Sequence, residues 1–311
     1  MNTLSRVSLF PNFQPITLDI RRHFDQYTQQ YETYSDFNFI SLWSYMGHNC
    51  LLSNLLGNLV FQMRDYVTLE PLVSVLGDTN LIHVLDTLFE YLDQSTFKKE
   101  LRLVPASLAL PHLMKHERYS FHMDRDNFDY IIDVRHLLKH EGKDMKHKQR
   151  DLHAFYSRTP RFEVREIDIR SPQDCKHILN LVEHWISKKD VKNVYDDTEA
   201  IRKLLTHEHD FHTVDVGIFI DNRLVAFSIN ELITADMYMA HFGKADKSVP
   251  GIYTMMEYEN ARIMHERYAC KYFNFQQDLG IAKLRKSKLS YQPVKFLEKG
   301  TISRVHSSHS N

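Results

Sequence analysis

Residues 273–294 read FNFQQDLGIAKLRKSKLSYQPV, and this stretch governs how the rest of the chain is taken. Across Tyr272 to Gln276 the phenylalanines fall on one face of a strand, with Tyr272, Asn274 and Gln276 on the other. A solvated edge strand would alternate in the same way. The next residues shift the balance. Asp278-Leu279-Gly280 closes the strand and opens a helix with Asp278 as its N-cap, and the helical turns carry Lys283, Arg285, Lys286 and Lys288. A polar strand end feeding a capped, basic helix is a place to hold an anionic ligand.

Twelve of these positions, Asp278 to Ile281, Leu284, Arg285, Lys286, Lys288, Ser290, Tyr291, Pro293 and Val294, resemble the DLGI…LRKxKxSYxPV signature of the phosphatidylglycerol lysyltransferase C-terminal domain family (DUF2156). Two weaker echoes accompany it. Tyr34 to Phe39 with Leu42-Trp43 resembles the family's N-terminal YSDFNFxxLW phrase. Gly142, Lys143, Lys148, Arg150, Leu152 and Phe155 resemble, with looser spacing, its GKxxxxKRxxLxxF segment. The resemblance implies an α+β fold of two tandem GNAT-like acyltransferase domains, each a mixed central sheet flanked by helices. It does not name the substrate.

Composition agrees with two domains. A chain of 311 residues with 43% hydrophobic residues can fill two cores. A formal net charge of −1 excludes a polycation that coats nucleic acid indiscriminately. The charge is uneven, however: His241 to Asn311 carries 12 Lys and Arg against 6 Asp and Glu, and Arg135 to Arg150 carries six against two. Such ground suits phosphate, tRNA or an anionic lipid surface, although a solvated helix face is commoner. Cys50, Cys175 and Cys270 lie far apart without CxxC pairing, which fits a reducing cytoplasm and gives no zinc signature. No apolar run approaches the roughly 18 residues that span a bilayer, so any membrane contact is expected to be peripheral, at the inner face. The abundant histidines, His207 to His212 among them, lack a metal framework, and no metal is assigned.

The expected order is an N-terminal domain over 1–145, a bridging helix over 146–160, a C-terminal domain over 161–304 and a disordered tail over 305–311. In the first half, Asp19 to Tyr31 reads as a helix, Ile40 to Trp43 as the entry to a sheet and Cys50 to Leu76 as an antiparallel meander. Leu81 to Leu92 then forms an amphipathic helix, Leu101 to Val104 a strand and Pro111 to His116 a short helix, with Tyr130 to Val134 a last strand. In the second half, Phe162 to Ile169 is the opening strand and Ser171-Pro172 starts a helix. Asp197 to His207 is a second helix, and Val214 to Ile233 is a hairpin turning at Asp221-Asn222. Met237 to Gly243 is a strand, Pro250 to Arg267 a long helix and Val294 to Lys299 the last strand.

The fold that the resemblance implies puts the reacting carbonyl where Met237–Gly243 and Tyr272–Gln276 splay apart. The candidate catalytic residues there are His241, Asn274, Asp278 and Glu257. The candidate substrate-binding residues are Lys244, Asp246, Gly251, Tyr253, Asn260, Gln276, Arg285, Lys288, Lys148 and Arg150. His241 to Asp246 resembles the family's HFEKAD segment, with Gly243 where glutamate is often seen. Acetyl-CoA-dependent relatives cradle the pyrophosphate on a glycine-rich loop ahead of the long helix. Lys247 to Tyr253 has one glycine, and Pro250 lacks an amide. This favours an aminoacyl-tRNA as co-substrate over acetyl-CoA, with no tightly bound cofactor. The reading is an acyltransferase acting on an amine or hydroxyl of a small molecule or lipid head group. The alternatives are an acetyl-CoA-dependent N-acetyltransferase and a non-catalytic module that binds tRNA or anionic lipid.

Overall fold

A computed structural model describes residues 4–114, 116–140, 145–188, 197–207 and 211–305. Gly142, Lys143, Glu208 to Asp210 and the tail after Val305 lie outside them. In chain order the strands are β1 (Gln14–Pro15), β2 (Leu51–Leu55), β3 (Asn58–Arg64), β4 (Pro71–Leu76), β5 (Glu100–Pro105), β6 (Tyr119–Met123), β7 (Asp129–Asp133), β8 (Glu163–Ile167), β9 (Thr213–Ile220), β10 (Arg223–Leu232), β11 (Met237–Ala245), β12 (Tyr272–Asn274), β13 (Lys295–Leu297) and β14 (Lys299–Arg304). The helices are α1 (Arg21–Thr28), α2 (Phe39–Ser41), α3 (Leu81–Asp93), α4 (Ala106–Leu113), α5 (Val134–Lys139), α6 (Lys146–Arg158), α7 (Pro172–Ser187), α8 (Thr198–Leu205), α9 (Ile252–Tyr268) and α10 (Ala282–Ser290).

Two compact units result, each with a mixed seven-stranded sheet flanked by helices. The first sheet runs β1-β2-β3-β4-β5-β14-β6. Its meander is as expected. Leu56 and Gly57, at φ +52° and +85°, make the two-residue turn that puts Leu55 opposite Asn58. Leu81, Val84, Leu85, Leu88, Phe89 and Leu92 line one side of α3 and pack on Val60, Val73, Val75 and Leu101 of this sheet. Ile40 to Trp43 does not enter the sheet. It continues from α2 into a π-helical turn over Leu42–Met46, buried on nearly every side, which is why its apolar run carries no clean period. The helix read at Pro111 begins five residues earlier, at Ala106, with Pro111 inside it.

The second sheet runs β13-β7-β12-β11-β10-β9-β8. Asp221 and Asn222, both at positive φ, turn β9 into β10. Ser171 caps α7, with Pro172 in its first turn. The crossover β11–α9–β12 joins two parallel strands. β12 is therefore an interior strand, antiparallel to β7 on its other side, and the edge-strand alternative fails.

The units do not follow the linear division expected from sequence. One is built from the described parts of Met1–Asp129, Gln277–Ile281 and Phe296–Asn311, the other from Tyr130–Gln276 and Ala282–Lys295. β7, read as the end of the first domain, pairs with β12 in the second sheet. β14, beyond the strand expected to finish the second domain, lies between β5 and β6 in the first. Helix α6, read as a bridge, belongs to the second unit, where Phe155 is fully buried against Ile252 and Met255. Strand partners are chosen by matching buried faces, and those matches skip along the chain.

Candidate active site

The expected splay is present. β11 and β12 pair at Met237–Tyr272, Tyr238–Phe273 and Met239–Asn274, and there the ladder ends. The backbone then turns out of the sheet: Asn274 Oδ1 accepts from the Gln276 amide at 2.8 Å, with Gln276 at φ +56°. The Gln276 side chain reaches back, its Nε2 donating to the Ala240 carbonyl at 2.8 Å. Asn274 and Gln276 thus shape the strand end, and Asn274 is fully buried.

Beside this opening lies a cluster drawn from three helices. Glu257 of α9 accepts hydrogen bonds from the Tyr291 hydroxyl and, at 3.4 Å, from Lys148 Nζ of α6. The Lys148 ammonium also sits 4.2 Å from the centre of the Tyr291 ring. Lys288 of α10 donates to the Phe275 carbonyl just past β12 and lies 4.5 Å from the Phe275 ring centre. Burial pushes the Glu257 carboxyl above its ordinary range, and the nearby Lys148 only partly offsets that. One carboxyl poised to carry a proton, a phenol hydroxyl and two ammonium groups therefore meet in a poorly solvated place. Lys288 and Tyr291 are one helical turn apart, so the sequence spacing could have nominated Tyr291, which carried no expected site role.

Other expected residues have structural partners. His241 is wholly buried, and its Nε2 lies 3.0 Å from Glu231 Oε2. Asn260 and Asn230 pair side chain to side chain at 2.8 and 3.0 Å across α9 and β10. Lys244 binds Asp197 at 2.5 Å and lies 4.2 Å from the Trp185 ring centre. Asp246 accepts from Ser248 and Arg223; burial opposes its ionisation, but these bonds hold its carboxyl well below the usual range. Tyr253 accepts from Trp185 Nε1 at 3.2 Å and donates to the Ala245 carbonyl at 3.4 Å. Gly251 is the left-handed N-cap of α9. Arg150 is exposed on α6 and Arg285 is half-buried on α10.

Asp278 departs from expectation. It belongs to the first unit, is fully buried, accepts from the Gly280 amide at 2.9 Å and meets Arg125 at 3.4 Å. It is not the N-cap of α10, which begins at Ala282. The physical reason is the left-handed Leu279-Gly280 step, which separates Asp278 from the helix by a turn of its own.

Four buried polar atoms of the second unit have no hydrogen-bond partner among the described residues: His140 Nε2, Asp197 Oδ1, Asp215 Oδ1 and Tyr238 Oη. Asp215 lies on β9, and the other three belong to residues on, or packed against, β11 or α9. A buried polar group left unsatisfied marks a point where a ligand or water completes the structure.

The chain is similar to a conserved protein of unknown function from Bacteroides thetaiotaomicron VPI-5482, with 26% identity, a TM-score of 0.77 and coverage of 94% of this chain and 99% of that one. It is also similar to the C-terminal domain (DUF2156) of a protein described as a lysylphosphatidylglycerol synthetase from Agrobacterium fabrum (10% identity, TM-score 0.59, 90% of each chain). A third similar structure is L-PGS from Bacillus licheniformis (15% identity, TM-score 0.57, 87% of this chain and 88% of that one). Comparison with curated proteins gave no match. The α+β architecture of two units, each a mixed sheet flanked by helices, is the expected one. The model of the family described as phosphatidylglycerol lysyltransferase, C-terminal, matches residues 78–300, and the chain belongs to that family.

Proposed function

We propose that this protein, an acyltransferase by family, moves an aminoacyl group from the ester of an aminoacyl-tRNA to a hydroxyl or amine, at the cluster of Glu257, Tyr291, Lys148 and Lys288. The observation that carries the choice of donor is the start of α9. A helix start is a natural seat for a pyrophosphate. Here the seat is taken from within. Asp151 of α6 accepts from the Thr254 hydroxyl at 3.1 Å, so a carboxylate already faces the first turn. A Cβ added to Gly251 would land on the Asp151 carbonyl oxygen, so the α6 backbone lies against the cap itself. Pro250 offers no amide, and Phe155 anchors α6 in the core. A donor that needs no pyrophosphate at this point, such as an aminoacyl ester, is compatible with this arrangement.

The attacking oxygen or nitrogen forms a bond to the ester carbonyl carbon, and the bond from that carbon to the ribose oxygen breaks. Glu257 takes the proton of the nucleophile and returns it to the leaving ribose oxygen, a role suited to a carboxyl held above its ordinary range. The ammonium groups of Lys148 and Lys288 favour the negative charge that gathers on the carbonyl oxygen. The exposed Arg150, Lys283 and Lys286 suit the polynucleotide backbone. The name of the family points to the hydroxyl of phosphatidylglycerol as the acceptor to try first.

Calorimetry with acetyl-CoA and with a mixed aminoacyl-tRNA pool, each at low and at physiological salt, tests the donor. Heat from the tRNA that fades with salt, and none from acetyl-CoA, is the expected result. Micromolar binding of acetyl-CoA would make the protein a CoA-dependent acyltransferase instead.

A further inference from the structure

His140 is left over by this mechanism. It lies just past α5, with φ +48° in the left-handed region. Its backbone is pinned at both ends: its amide donates to the His136 carbonyl, and its carbonyl accepts from Gln149 Nε2 at 2.7 Å. Its ring is stacked 6.0 Å from Tyr258 and lies 6.4 Å from Tyr291, the phenol that binds Glu257. The residue is 2% exposed, yet Nε2 has no partner among the described residues. Left-handed backbone, two backbone bonds and two flanking rings over-determine the imidazole's place. A ring positioned so firmly with an unused nitrogen is a hydrogen-bonding group awaiting its partner.

The surroundings set the state of that nitrogen. Among the described residues, the charged groups near it are Lys148 of α6 and Glu257 of α9, beside the hydroxyls of Tyr258 and Tyr291. Burial first, and the Lys148 ammonium second, hold the imidazole down to about 4. At neutral pH it is uncharged, so with the ring proton on Nδ1 its Nε2 accepts a hydrogen bond.

We infer that His140 Nε2 binds the hydroxyl or amine that is to be acylated, holding its hydrogen beside the Tyr291–Glu257 pair. The assignment rests on the transfer reaction proposed above. A neutral acceptor orients the nucleophile and leaves its lone pair directed at the ester carbonyl. As the new bond forms, a hydroxyl's proton passes from its hydrogen bond with Nε2 to Glu257, whereas an amine keeps one N–H on Nε2 and gives a second proton to Glu257. His140 is then a residue that touches substrate, and it sets the choice of acceptors: a nucleophile without an N–H or O–H in that position has nothing to offer it.

Two variants separate this role from packing. H140F keeps the stacking on Tyr258 and Tyr291 and removes the nitrogen; H140Q keeps an acceptor oxygen without the ring. With aminoacyl-tRNA as donor and phosphatidylglycerol vesicles as acceptor, H140F should keep its fold and tRNA binding and lose about 100-fold in kcat/KM for the acceptor. H140Q should stay within about tenfold of the parent. Equal loss in both variants, or none in H140F, would overturn the assignment. If the parent protein transfers nothing, the proposed reaction fails, and a second measurement judges His140 by itself. The imidazole 15N spectrum is followed while glycerol 1-phosphate is added as a simple polyol probe. Upfield movement of the His140 Nε2 signal supports the inference; an unmoved signal at high probe concentration overturns it.

Discussion

Tyr291 and Glu257 show what one hydroxyl can govern. The phenol donates to a carboxyl that burial already holds toward its protonated form. Removing the donor disfavours the carboxylate further. Y291F should therefore lower the transfer rate about 10- to 100-fold and move the acid limb of the pH–rate profile upward, which steady-state kinetics over a pH series would read. Asp215 on β9 poses a different question. It is 4% exposed, Thr213 Oγ1 donates to one oxygen at 3.0 Å, and the other has no partner among the described residues. Burial pushes its carboxyl up to about 8, against 3.8 for the ordinary group. Stability from keeping that proton is complete below 3.8 and is lost as pH rises through 8. Thermal unfolding should show the parent falling behind D215N between about pH 4 and pH 9, with no gap at the acid end. At this scale the sequence was partly legible. Glu257, Lys148 and Lys288 were candidates from their types and neighbourhood, whereas Tyr291 was a signature position with no expected site role. Asp215 carried no local signal and His140 only its i,i+4 spacing from His136, because an unsatisfied buried atom exists only once the chain has packed.

Elements were read more reliably than residues. The hairpin at Asp221-Asn222, the cap at Ser171-Pro172 and the apolar stripe of α3 follow from turn chemistry and period alone. Ile40 to Trp43 misled because a run buried on nearly every side carries no period to distinguish strand from helix. The start of α9 makes the sharpest prediction. Gly251 sits at φ +73°, and a Cβ there meets backbone of α6 rather than a side chain that could swing away. G251A should lose about 3 kcal/mol or more of stability in urea unfolding, from left-handed strain together with displacement of α6. D151N, which keeps an oxygen for Thr254 and removes only the charge beside the helix start, should lose about 1 kcal/mol or less.

At the scale of the whole molecule, the first unit is tied together by a buried charge. Lys299 of β14 binds Asp36 and, at 3.0 Å, Asp129, and all three side chains are fully buried. Ser35 donates to Asp129 and to Gln277, and Gln277 donates to Asp36 at 2.9 Å. Four separate stretches of the chain thus converge on one ammonium. K299M should cost about 3–5 kcal/mol in urea unfolding, since it leaves two carboxylates buried without their cation. Adding D36N and D129N should recover much of that loss, because the uncompensated charges go with the substitution.

By itself the sequence determined the α+β class, most helices and strands, and the family signature. All of these rest on local period, turn residues or a contiguous motif. Only the tertiary structure decided that β7 and β14 join sheets distant in the chain, that Asp278 and Glu257 fall in different units, and that α6 covers the start of α9. The physical reason is that a strand's partner and a helix's neighbour are selected by burial and shape between segments far apart in sequence. No window along the chain contains both sides of that choice.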